Sequence, residues 1–120
     1  AYLSNYNNSA QVTPSMTLAS QLKNQKRRED LKDLITSLIK TLIKVRDGNI
    51  TKVYLLEWAD TWQKKAINIV EKIPLNQKES AMIKSLSDIV VKLKDIDPES
   101  NDAYITAKSL LDALRGVLNE

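Results

Sequence analysis

Apolar side chains recur three and four residues apart through most of this chain, the period of an amphipathic α-helix with one buried stripe. The pattern is sharpest from Glu29 onward, where Leu31, Leu34, Ile35, Leu38, Leu42 and Val45 follow one line and Ile39 and Ile43 widen it. Glu29 and Asp30 suit the positive end of a helix dipole, and Lys44 and Arg46 suit the negative end. Gly48, after Asp47, supplies a left-handed stop. These signals predict a first helix over 29–46.

A second helix opens at Thr51 as N-cap, with Ile50 outside it poised to meet Leu55 as a hydrophobic staple. Its apolar line is Leu55, Ala59, Trp62, Ala66, Ile69 and Ile73, and Pro74 ends it. Asn76 and Glu79 have the spacing of a capping box for a third helix. That helix buries Met82, Leu86, Ile89, Leu93 and Ile96, with Val90 beside them. Asp97-Pro98 closes it and opens the fourth, since proline is tolerated in a first turn. There Ala103, Ala107, Leu110, Leu114 and Val117 share a line, flanked by Tyr104, Leu111 and Leu118.

Four such helices on short connectors predict an all-α protein, an antiparallel four-helix bundle. No alternating strand pattern competes, and no internal repeat is visible. Residues 1–28 read differently. They are rich in Asn, Ser, Gln and Thr and form a polar N-terminal arm. A short extra helix starting at Thr13-Pro14 would have only Leu18 and Leu22 to anchor it. The expected organisation is an arm over 1–28 and a bundle over 29–120.

Composition sharpens this picture mainly by exclusion. The 120 residues include no Cys and no His. Disulfides, thiol chemistry, the commonest general base and the commonest zinc and copper ligands are therefore absent. Glu57 and Asp60 share a helix face, but Asp60 precedes Lys64 by four residues, the spacing of a surface ion pair. The acidic run Asp95–Asp102 looks like a calcium loop. It fails at the sixth position, Ser100 where Gly is needed, and at the twelfth, Thr106 where Glu is needed. Gly48 and Gly116 stand alone, so no glycine-rich phosphate loop exists. No catalytic residue, metal ligand or cofactor site is assigned, and an enzyme is not expected.

The formal charge is +3. Lys23, Lys26, Arg27 and Arg28 against Glu29 and Asp30 leave +2 in residues 1–30, so the body is nearly neutral. A basic face with aromatic anchors, the mark of a nucleic-acid module, is missing. No apolar run approaches the roughly 20 residues of a membrane span. Ala1 in place of Met points to processing or trimming. A cytoplasmic protein is expected, with secretion or the periplasm as the alternative. Asn7-Asn8-Ser9 and Asn49-Ile50-Thr51 match glycosylation sequons, a pattern too short to decide the compartment.

Tyr54, Trp58 and Trp62 lie at intervals of four on the second helix. Trp62 continues the core line, whereas Tyr54 and Trp58 lie off it, as bundle-edge packing or as a partner-facing aromatic patch. The cluster Lys26, Arg27 and Arg28 is a second candidate contact, for an anionic partner, against the simpler reading of a solvated helix start.

From Asp33 to Trp62 the chain resembles small helical immunity proteins of the colicin-like type. The likeness lies in the leucine-rich first helix, then Gly48-Asn49-Ile50-Thr51, then Trp58-Ala59 and Trp62. Ile96-Asp97, Tyr104 and Leu110 to Leu114 extend it. Such proteins protect a bacterium from its own or a sibling's toxin by binding the toxic domain. The resemblance implies a bacterial, non-catalytic bundle whose partner is another protein, and it assigns no residue a role. Two features depart from it, the polar arm and the slightly basic charge, where nuclease inhibitors are often acidic. The alternative expectation is a structural or adaptor subunit, such as an export chaperone or a self-assembling homo-oligomer, that works through the arm.

Overall fold

Between Pro14 and Gly48 the chain contains no Gly or Pro, and the polar run Asn24–Arg28 is mostly Gln, Lys and Arg, all good helix formers. Polarity alone does not break a helix. In the computed structural model, which describes the backbone of residues 14–119 and side chains from Gln25 to Asn119, one helix, α1, spans Pro14–Arg46. The first helix therefore begins fifteen residues before the expected 29, and no separate short helix precedes it within the described residues. Lys26 and Asp30, four apart, pair across one turn at 3.0 Å. The chain divides into two compact units, residues 1–30 and 31–120, with the boundary lying within α1. The Thr13 cap, the side chains of Leu18 and Leu22 and the Asn7 sequon lie outside the described residues.

The second unit is an all-α four-helix bundle, built from the later part of α1 with α2 (Lys52–Lys72), α3 (Gln77–Lys94) and α4 (Ala103–Leu118). Local chemistry sets each boundary. Gly48 adopts a φ of 72°. Its N–H donates to the Val45 carbonyl at 3.2 Å, while Asn49 N–H reaches back to the Lys44 carbonyl at 2.8 Å. This pair of bonds is a Schellman motif, which satisfies carbonyls that the ending helix would leave open. Thr51 Oγ1 then accepts from Tyr54 N–H at 3.3 Å to cap α2. At the start of α3, Asn76 and Glu79 exchange side-chain to backbone bonds of 2.8 and 3.1 Å, the expected capping box.

The fourth helix departs from expectation. Pro98 is buried in the connector instead of opening α4, which starts only at Ala103. Successive turns bridge the gap, with Ser100 N–H donating to Asp97 O and Ala103 N–H donating to Ser100 O. The Asp97 carboxylate accepts from Glu99 N–H at 3.0 Å, and Ser100 Oγ accepts from Asp102 N–H at 3.2 Å. These side chains order the connector through turn hydrogen bonds, and Asp102, the N-cap residue of α4, makes no side-chain cap bond.

The core is one cluster of aliphatic side chains closed around Trp62. Leu31, Leu34, Leu38, Leu42 and Val45 enter it from α1, and Leu55, Ala59, Ala66 and Ile69 from α2. On α3 the buried line runs through Ile83, Leu86, Ile89, Val90 and Leu93, with Ile83 taking the place expected for Met82, which is half-buried. Ala103, Ala107, Leu110 and Leu114 complete it from α4. Ile73 and Val117, expected on these lines, sit half-buried at helix ends, and Tyr104 is exposed. Trp62 Nε1–H donates to the Leu34 carbonyl at 3.0 Å, so the one polar atom of the largest core side chain is satisfied. None of the described helices is long and apolar enough to cross a membrane.

Candidate protein-binding surface at the α1–α2 corner

The tight stop at Gly48 and the cap at Thr51 leave only two residues between them and turn the chain sharply from α1 into α2. An open cleft of about 570 Å³ lies at this corner. Thr41 and Lys44 from α1, Gly48–Thr51 from the turn, and Tyr54 and Trp58 from α2 line it, and Glu99 contributes from the α3–α4 connector. Tyr54 stands 66% exposed in the first turn of α2. Its backbone is fixed by the Thr51 cap, so a large amphipathic ring is displayed from a rigid support.

Trp58, one turn further on, is half-buried. Its Nε1–H donates to Ser37 Oγ on α1 at 2.8 Å, and its ring meets Trp62 at 6.5 Å between centroids, tilted by 41°. It therefore does the packing expected at a bundle edge, and it also lines the cleft. The two residues expected to form an aromatic patch differ: Tyr54 offers its ring to solvent, while Trp58 ties α1 to α2.

Lys52 anchors the corner in a way its sequence position does not reveal. Its ammonium donates to the Lys94 carbonyl and, at 2.7 Å, to the Ile96 carbonyl. A cation thus covers the carbonyl end of α3, where the helix dipole is negative. This contact pins the first turn of α2, and Tyr54 with it.

The charges near the cleft are mixed. Lys44 and Glu99 carry opposite signs across it. At the end of α1, the Arg46 guanidinium grips the Asp47 carboxylate in two contacts of 2.9 and 3.3 Å. That hydrogen bond holds Asp47 below the usual carboxylate range and raises Arg46. The cleft thus combines mixed charge, two threonines and two aromatic rings.

The basic candidates lie in the other unit. Lys26 is ion-paired with Asp30, Arg27 is half-buried and Arg28 is exposed, and none of the three lines the cleft. Asp60 pairs with Lys64 at 3.0 Å on the open surface, as its spacing predicts, and Glu57 is exposed. Among the described residues no three acidic side chains gather closely enough to hold a metal ion. Sequence reasoning missed Lys44, Asn49, Lys52 and Glu99. Asn49 had been named only in the sequon and in the stretch Gly48–Thr51, and the other three join the corner through contacts that no local spacing announces.

No family model, curated protein or solved structure matches this chain.

Proposed function

We propose that this chain is a non-catalytic protein-binding bundle of the toxin-neutralising, immunity type, which engages its partner through the α1–α2 corner. The observation that carries the reading is Tyr54: a 66% exposed aromatic ring on a capped helix start, beside an open cleft. Exposed aromatics on rigid supports are the usual anchors of protein interfaces, because their burial gains much area for little lost rotamer freedom. The resemblance from Asp33 to Trp62 supports the same reading, and the cleft is built from residues inside that stretch, apart from Glu99. The lack of His and Cys supports a role without catalysis.

A direct test is to challenge cells that carry or lack this chain with colicin-type toxins. Protection by the full chain, lost for Tyr54→Ser at unchanged thermal stability, is the expected outcome. Equal protection by both versions would move the interface away from this corner.

One observation favours a second reading, an adaptor or assembly subunit working through its N-terminal segment. Residues 14–30 are helical and belong to a unit of their own. In that case Arg28→Glu, placed on an exposed site of that segment, would abolish function while Tyr54→Ser would not.

A further inference from the structure

The second helix carries a second apolar line. Beside the buried stripe, Val53, Leu56, Asp60, Gln63, Ile67 and Val70 follow one another in alternating steps of three and four, the spacing of a coiled-coil seam. The four apolar members are 66%, 40%, 57% and 51% exposed, in chain order. Gln63, Ile67 and Val70 also wall an open groove of about 610 Å³ against Ile83 and Ser87 of α3. Among the described residues of the second unit, no helix covers the four apolar members of this line.

The order of apolar and polar positions along this seam reads the same from both ends. A two-fold axis between Thr61 and Trp62 sets Val53 opposite Val70 of a second copy, Leu56 opposite Ile67, and Asp60 opposite Gln63. Apolar residues then meet apolar residues, and the two polar positions meet each other at the centre. There each Asp60 carboxylate, paired through one oxygen with Lys64 of its own copy, can accept a hydrogen bond from the Gln63 amide of the other. Along the edge, Glu57 comes beside Lys64 of the other copy with opposite charge. A slip by seven residues would oppose Asp60 to Val70 or Leu56, and a parallel arrangement would oppose Asp60 to Asp60. Buried polar positions of this kind select one register.

We propose that two copies of the chain pair through antiparallel α2 helices along this seam. The contact is isologous, as a closed dimer requires. It leaves the Tyr54 corner free, because Tyr54 and Trp58 lie on the other flank of the core line.

The absence of cysteine makes a clean test available. An equal mixture of full chains bearing Val53→Cys and Val70→Cys is expected to form a disulfide dimer under mild oxidation. Each variant alone is not, since its two equivalent positions lie about 25 Å apart along the seam. In sedimentation equilibrium the full chain should be a dimer, and Ile67→Lys should weaken it at least ~10-fold, about 1.4 kcal/mol, with unchanged helicity. Ile105→Lys, at an exposed site on α4, should leave the dimer intact. A monomer up to the solubility limit, a dimer indifferent to Ile67→Lys, or either single-cysteine chain cross-linking as well as the mixture would overturn the proposal.

Discussion

Trp62 and Trp58 are one helical turn apart, yet they hold the bundle in different ways. Trp62 is fully enclosed and bonded to a backbone carbonyl of α1, so Trp62→Phe leaves a void and removes a hydrogen bond at once. A loss of about 2–3 kcal/mol is expected, read from urea unfolding. Trp58→Phe keeps most of the packing and loses only the bond to Ser37, so about 1 kcal/mol is expected. Lys52→Met should cost about 1–2 kcal/mol by uncovering the carbonyls at the end of α3. The burial of Trp62 was legible in its spacing from Leu55 and Ala59. The role of Lys52 was not, because its acceptors are 42 and 44 residues away. Asp47 belongs at this scale too. Its folded-state pKa is lowered, so the contribution of the Arg46 pair is present above about pH 4 and fades as pH falls through the folded value. The pair is exposed, so salt weakens it.

At the scale of elements, boundaries written in cap chemistry were the readable ones. Gly48, Thr51 and the Asn76–Glu79 box each stand where the residue types demanded. Two starts were misjudged for physical reasons. The polar segment ahead of Leu31 lacks a stripe but contains nothing that opposes helix, and α1 runs through it from Pro14. Pro98 permits a first turn without requiring one, and the Asp97 and Ser100 side chains favour turns there instead. The two glycines make a paired prediction, since a methyl group meets no atom within 4 Å at either. At Gly48 only the left-handed backbone matters, and Gly48→Ala should cost about 1–2 kcal/mol. At Gly116, inside α4, the backbone is ordinary helix, and Gly116→Ala should add about 0.5–1 kcal/mol. Thermal melts by circular dichroism separate the two signs.

For the whole molecule, every core residue among those described lies at Leu31 or later. A chain cut before Leu31 is therefore expected to unfold cooperatively, with a midpoint close to that of the full chain. A gradual melt of the shortened chain would mean that residues 1–30 supply part of the core. The fold class was written in the hydrophobic period, whereas the corner was only half visible. Tyr54 and Trp58 could be picked from the sequence as aromatics off the core line. The cleft that joins them to Lys44 and Glu99 depends on how α1, α2 and the last connector meet.

Protein binding at this corner, as proposed above, is tested most directly by capture from the source cell. The full chain and its Tyr54→Ser variant would be used, at equal concentration, to recover partners from the source cell, with the melting temperature of each recorded. One foreign partner in stoichiometric amount is expected with the natural chain, and at least ~10-fold less with the variant at an unchanged melt, as befits an interface anchor. Equal recovery by both chains, or recovery of nothing but the chain itself, would contradict it.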